Sequence, residues 1–211
     1  MMRIDHHLHT NRYSPDSSID PEALVEHAQR VGLEGVVITE HDCLWPADEL
    51  AELNRPGGPL VLAGAEISAL EGHFLVYGLP TLEETPPGVA LADLLRAVRR
   101  HGAAIVAAHP FRWGQDFDEI VRTHGPAFDA IELVSKNVTP ETRRLTESLL
   151  ARAPMATTGS SDAHELEQLG CYHSVFPGPI RTMAEFIAAL RAGQSRPRSR
   201  PGAHLACGPV G

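Results

Sequence analysis

Short apolar runs alternate with amphipathic stretches along this chain, and that alternation is the strongest constraint on its fold. Candidate strands cover 3–8, 35–39, 60–67, 73–77, 103–107, 130–134, 155–158 and 172–175. Helices with readable ends lie between most of them. Asp20 precedes Pro21, an N-cap followed by proline at the first helical position, and Leu24, Ala28 and Val31 form one stripe as far as Gly32. Leu91, Leu94, Leu95 and Val98 do the same up to Gly102. Thr139–Pro140 opens a helix carrying Leu145 and Leu149, and Thr182 with Glu185 forms a capping box ahead of Phe186, Ile187 and Leu190. Strand–helix alternation predicts parallel pairing and an α/β architecture. The stretch 60–77 is the exception: two apolar runs split by "SALEG" predict a hairpin. The segment 80–90 reads as a loop. Residues 1–193 are expected to form one domain. The Pro-, Gly- and Arg-rich segment 194–211 has no apolar period and is expected to be a disordered tail.

Polar side chains of one chemical kind follow the apolar runs. His7 and His9 close the first strand; residues i and i+2 of a strand share a face, so both can reach one metal ion. His6 alternates to the opposite face and is expected to be a bystander. "ITEHD" supplies Glu40, His41 and Asp42, "GAEIS" supplies Glu66, and His73 opens the return of the hairpin. "VAAHP" ends in His109, and "GSSDAH" presents Asp162 and His164. The run 130–134 has no obvious ligand, although Glu132 lies inside it and Lys136 and Asn137 just follow. In a (β/α) barrel the C-terminal strand ends form one rim, where active sites sit. The ligands exceed what one ion takes, so a bridging Glu66 would let two or three ions share them. Mixed imidazole and carboxylate donors without cysteine favour Zn, Mn or Fe.

The ordered motifs resemble the PHP (polymerase and histidinol phosphatase) family of metal-dependent phosphoesterases. "DHHLHT", "ITEHD", "GAEIS" followed by "HFLVYG", "AHP" and "GSSDAH" carry the resemblance, which runs from about residue 3 to residue 193. It implies a distorted (β/α)7 TIM-like barrel holding up to three metals. Carried over, one site resembles His7, His9, Glu66 and Asp162, and a second resembles Glu66, His73 and His109. The third resembles His41, His164 and a residue of the loop "NRYSPDS", for which Asp16 is the choice. Glu40 stands where many members have Asp and is expected behind the ligands. The implied activity is hydrolysis of a phosphomonoester or phosphodiester by a hydroxide held between metals. Asp162 would hold or receive its proton, and the third metal or His164 would support the leaving oxygen. Arg12, Arg112 and Lys136 are rim cations suited to phosphoryl oxygens. Asp5 is expected to orient a ligand histidine. Trp113 either lines a pocket or covers the barrel edge.

Composition narrows the partners. Eighteen Lys+Arg against 27 Asp+Glu leave a net charge of −9, which disfavours long nucleic acid and anionic membranes. The expected substrate is therefore a small phosphorylated molecule or a nucleotide. Three scattered cysteines without a CxxC pair suggest a reducing, cytoplasmic setting. No apolar run approaches the roughly 18 residues of a membrane span. Twelve histidines is a high count for 211 residues; His27, His101, His124, His173 and His204 fall outside the motifs and receive no role. Two rival expectations are amidohydrolase-type hydrolysis of C–N or ester bonds and a non-catalytic metal-binding PHP module. The pairing of Glu66 with His73 and the late Asp-x-His argue against the first, and the full ligand set against the second.

Overall fold

The computed structural model describes residues 1–203. Its strands and helices follow in the order β1 (Met2–Asp5), α1 (Pro21–Arg30), β2 (Gly35–His41), α2 (Ala47–Leu53), β3 (Leu60–Ala69), β4 (Gly72–Tyr77), α3 (Leu91–His101), β5 (Ala104–Ala107), α4 (Phe117–His124), β6 (Ala130–Val134), α5 (Pro140–Arg152), β7 (Thr157–Gly159), β8 (Tyr172–Phe176), α6 (Met183–Arg191) and β9 (Arg196–Ser199). The strands form one sheet in the order β7-β6-β5-β4-β3-β2-β1-β8-β9. Strands β1, β2, β3, β5, β6, β7 and β9 run one way, and β4 and β8 run against them. The expected hairpin is present as β3–β4, and its return brings the start of β4 to the same rim as the ends of the parallel strands.

The sheet curls into a nearly closed barrel. At its seam the Ser174 hydroxyl donates to the Gly159 carbonyl and accepts the Gly159 N–H, both at 3.0 Å. A side chain at residue 159 would begin 2.7 Å from Val134 and 3.0 Å from the His173 carbonyl, so only glycine lets β7 approach β8. Ile4, Val37, Leu75, Tyr77, Val106 and Phe176 fill the interior, where α6 packs Phe186, Ile187 and Leu190 against them. The outer faces of β4 and β5 pack on α3 through residues such as Phe74, Val76, Leu94 and Val98. That of β2 packs on α1 through Val36, Ile38, Leu24 and Ala28, joined by Leu8 from the segment after β1.

Capping residues set the helix starts as their chemistry requires. The Asp20 carboxylate accepts the Glu22 and Ala23 N–H groups, Thr139 accepts that of Thr142, and Thr182 that of Glu185. The expected capping box is only half formed: Glu185 accepts the Arg181 N–H, one residue before the cap, in place of that of Thr182.

Three elements depart from expectation. Helix α2 is short, buries only Leu53 and has no side-chain cap, so its sequence signal is faint. Helix α4 carries a signal that was readable: Asp116 caps Glu119, Phe117, Ile120 and Val121 are buried, and Gly125 follows. Within the segment expected to be a disordered tail, Arg196–Ser199 forms β9 by pairing with β8. Backbone hydrogen bonds need no apolar pattern, and Pro197 is tolerated at a sheet margin. Residues 204–211, including His204 and Cys207, lie outside the described residues.

Candidate metal centre

The rim gathers side chains from almost every strand end. His7 and His9 follow β1, and their Nε2 atoms both point at the same two carboxylates. His7 Nε2 lies 3.4 Å from Glu66 Oε1 and 3.4 Å from Asp162 Oδ1. His9 Nε2 lies 3.4 Å from Glu66 Oε2 and 3.3 Å from Asp162 Oδ1. Glu66, from β3, meets His73 Nδ1 at 3.0 Å, His109 Nε2 at 3.1 Å and His41 Nδ1 at 3.0 Å. Asp16 Oδ2 lies 3.2 Å from both His41 Nε2 and His164 Nε2. All nine residues expected as ligands are thus brought together. Three groups have donor atoms close enough to share an ion: His7, Glu66 and His109; His7, His9 and Asp162; and His9, His41 and His164.

The tautomers of the first two histidines follow from what stands behind them. His7 Nδ1 lies 3.0 Å from Glu132 Oε1, a carboxylate that only accepts, so Nδ1 carries the hydrogen and the neutral ring has its lone pair on Nε2. His9 Nδ1 lies 3.4 Å from Ser14 Oγ, whose own hydrogen goes to Glu40. Both Nε2 atoms are buried without a hydrogen-bond partner. A buried polar atom left unpaired is costly, and a cation would satisfy both at once. The donor set fits a divalent ion of the Zn, Mn or Fe kind.

Electrostatics points the same way. Burial alone would raise the Glu66 and Asp162 pKa values, but the surrounding imidazoles, His7 foremost, outweigh it and hold both below the usual carboxylate range. Burial alone would lower His7; Asp162, Glu132 and Glu66 reverse that and push it up. His9 has burial as its largest influence and is lowered. The buried carboxylates therefore hold their negative charge and call for a positive partner among them.

The backbone is bent at the points of contact. His109 has φ 27°, Asp162 φ 54° and Asp42 φ 48°. Left-handed backbone outside glycine is uncommon and clusters at functional sites. Asp42 ties the ends of β2 and β3 together: its N–H donates to the Glu66 carbonyl, and its carboxylate accepts the Ser68 N–H.

Glu132 is the residue sequence reasoning passed over. It is fully buried and accepts from the His7 ring, from the His109 N–H at 2.7 Å and from the Ser160 hydroxyl. A carboxylate within a buried strand run was the available signal. Glu40 sits behind the ligands, as expected, binding Thr10, Ser14 and the Trp45 indole N–H. Asp5 does not orient a histidine; its carboxylate accepts the Ser161 and Gly170 N–H groups. His6 makes no ligand contact, yet it does not reach the outer face. Strand β1 ends at Asp5, the alternation stops there, and the His6 ring turns inward against Tyr77, Ser174 and Phe186.

The three rim cations divide. Arg112 Nη1 lies 4.0 Å from Asp162 Oδ2, and Lys136 Nζ lies 3.1 Å from His164 Nδ1. Both line a cavity of ≈ 420 Å³ over the ligand cluster, with Asn137 and Trp113. Arg12 is held elsewhere by a 2.8 Å ion pair with Glu49 and does not line this cavity.

Residues 5–149 match the family description "PHP domain", and residues 140–195 match "PHP-associated". This chain belongs to the PHP domain family. It is 30% identical over 120 residues to the uncharacterized protein MJ1587 of Methanocaldococcus jannaschii, covering 52% of this chain and 68% of that protein. An error-prone DNA polymerase of Mycobacterium tuberculosis is 34% identical over 106 residues, which are 49% of this chain and 9% of the polymerase. Among solved structures, PsfC from Pseudomonas syringae superposes with a TM-score of 0.70 at 22% identity, covering 98% of this chain and 95% of its own. A two-domain Bacteroides vulgatus protein containing a predicted PHP-like metal-dependent phosphoesterase gives 0.70 at 20% identity, over 94% and 65%. The lesion-specific endonuclease EndoQ of Pyrococcus furiosus gives 0.70 at 20% identity, over 90% and 56%. These structural likenesses establish the barrel. No helix of the described residues is long and apolar enough to cross a membrane.

Proposed function

We propose that this PHP protein hydrolyses phosphate esters of a small molecule or nucleotide at a centre of two to three divalent ions, Zn, Mn or Fe. The observation that carries the proposal is the pair of orphaned Nε2 atoms of His7 and His9, each within 3.4 Å of both Glu66 and Asp162. His7, His9, Glu66 and Asp162 would hold one ion, Glu66, His73 and His109 a second, and Asp16, His41 and His164 a third. Bound there, the ions would supply Lewis acidity and a water acidic enough to attack at neutral pH. Arg112 and Lys136 would grip the phosphoryl oxygens. Asp162, 3.3 Å from His9 Nε2 and 3.4 Å from His7 Nε2, would hold or receive the proton of the attacking water. His164, hydrogen-bonded to Lys136, would steady the leaving oxygen. The polymerase and endonuclease likenesses support a nucleotide among the candidate substrates. A net charge of −9 favours a small one, and a cytoplasmic setting fits three scattered cysteines without a CxxC pair.

The test is metal content of protein purified without added metal, beside turnover of p-nitrophenyl phosphate and bis-p-nitrophenyl phosphate with Mn or Zn. Two to three ions per chain with metal-dependent turnover is the expected result. Bound metal without turnover of either ester would redirect the assignment to an amidohydrolase-like reaction or a binding module. Absence of bound metal after reconstitution would overturn it.

A further inference from the structure

A second cavity, of ≈ 460 Å³, opens beside the ligand cluster and shares His73, Arg112 and Trp113 with the first. Trp113 is the wall between them. Its ring meets His73 edge-on at 5.3 Å and His109 at 6.0 Å between centroids, so it borders the metal-type groups directly. The Arg112 guanidinium covers one ring face at 4.0 Å. The residue is nevertheless 73% exposed, which leaves the rest of the indole open. The large hydrophobic side chains exposed among the described residues are Met1, Leu70, Trp113 and Leu145, and two of them, Leu70 and Trp113, line this cavity. Exposed apolar surface concentrated beside polar groups marks a binding site.

The platform is built rather than loose. Phe111 and Trp113 hold φ values of 64° and 55°. The Gln115 side chain fastens the turn, accepting the Phe111 N–H and donating to the Glu71 carbonyl. Gly72 lies beneath it at φ 144°, a conformation that favours glycine, and a Cβ there would displace the Gln115 amide. Phe111 anchors the turn on Phe117. Glu71, Asp116 and Glu119 also line the cavity, and among the described residues Arg112 is the only arginine or lysine that does, on the side shared with the ligand cluster. A second phosphate would be repelled there; a flat ring, neutral or cationic, would not.

We infer that Trp113 is a stacking platform for the organic half of the substrate, a phosphoester whose leaving side carries an uncharged or cationic aromatic ring. The inference rests on the phosphoesterase assignment for where the phosphoryl group lies. The ring lies on Trp113 in the second cavity while Arg112, stacked on the same indole, faces the phosphoryl group.

The test is calorimetric titration of the metal-loaded protein with benzylphosphonate and with cyclohexylmethylphosphonate, which share a head group and differ in aromaticity. Neither can be hydrolysed, so binding is read apart from turnover. Benzylphosphonate should bind about three- to tenfold more tightly, the range of an aromatic pair beyond its buried area. W113F should keep most of that preference, and W113L, which retains apolar bulk without a ring, should bring it within twofold. Equal binding of the two ligands by the wild type, or a preference that survives W113L, would overturn the inference even if aryl phosphates are turned over. A Trp113-dependent preference without turnover of any phosphoester would uphold the platform and remove the hydrolytic assignment instead.

Discussion

Replacing Glu132 by glutamine tests whether the barrel, and not the ligands alone, determines metal affinity. The change is nearly isosteric and leaves every ligand in place. Three hydrogens converge on the two Glu132 oxygens: the His7 ring N–H and the Ser160 hydroxyl on Oε1, and the His109 N–H on Oε2. An amide offers one acceptor oxygen. If that oxygen faces His7, the amide NH2 confronts the His109 N–H across 2.7 Å, and His109 must move. If the amide is reversed, its NH2 faces His7 Nδ1 and favours the tautomer with hydrogen on Nε2, the atom aimed at Glu66 and Asp162. The first orientation leaves the buried His109 N–H unpaired, at a cost of about 1–3 kcal/mol, and the second turns the metal-facing nitrogen of His7 into a donor. Loss of such a carboxylate behind a ligand histidine lowers metal affinity about 10- to 100-fold, or roughly 1.4–2.7 kcal/mol. Competition titration of E132Q against a chelator of known affinity, with Zn or Mn, should show that loss. An affinity within twofold of wild type would refute the role given to Glu132 and the tautomer assigned to His7.

Glu66 touches five imidazoles, so E66A should release more than one ion per chain, read by elemental analysis; full metal content and activity would contradict its bridging position. R112A should lower kcat/KM by about 10- to 100-fold, the scale of a charge-assisted contact to a phosphoryl oxygen. R12A, whose guanidinium is paired with Glu49 away from the cavity, should leave kcat/KM unchanged. His173, on β8, has its pKa lowered, by burial first and then by Arg3, Arg198 and Arg200 despite its bond to the Gly170 carbonyl. As pH falls below about 6.5 the unfolded chain takes up that proton before the folded one does, so stability declines with acidity. H173Q should flatten this decline in denaturant titrations between pH 7 and pH 5; an unchanged slope would count against it.

Local chemistry determined much of this protein by itself. Strand positions followed from apolar runs, and helix starts from Asp20, Thr139 and Thr182, because caps and periodicity act over a few residues. His7, His9, Glu66, His109 and Asp162 could be named as candidates because their residue types at strand ends have little other use. Long-range geometry decided the rest. Arg12 and Arg112 look alike in sequence, but only Arg112 lies on a turn that folds back to Asp162, while Glu49 of α2 holds Arg12 aside. Glu132 gained its place because β6 lies beside β5 and β7 in the curled sheet, bringing Ser160 and His109 to it from the neighbouring strands and His7 from the end of β1, which is not adjacent to β6 in the order. The inward turn of His6 depended on where β1 stops, which its pairing with β2 and β8 decides. Strand β9 had no apolar signal, since its hold is backbone hydrogen bonding to β8. Residue type and spacing announce what a side chain can do. Only the closed sheet decides which distant side chains share one small volume, because no local interaction carries the register across the barrel.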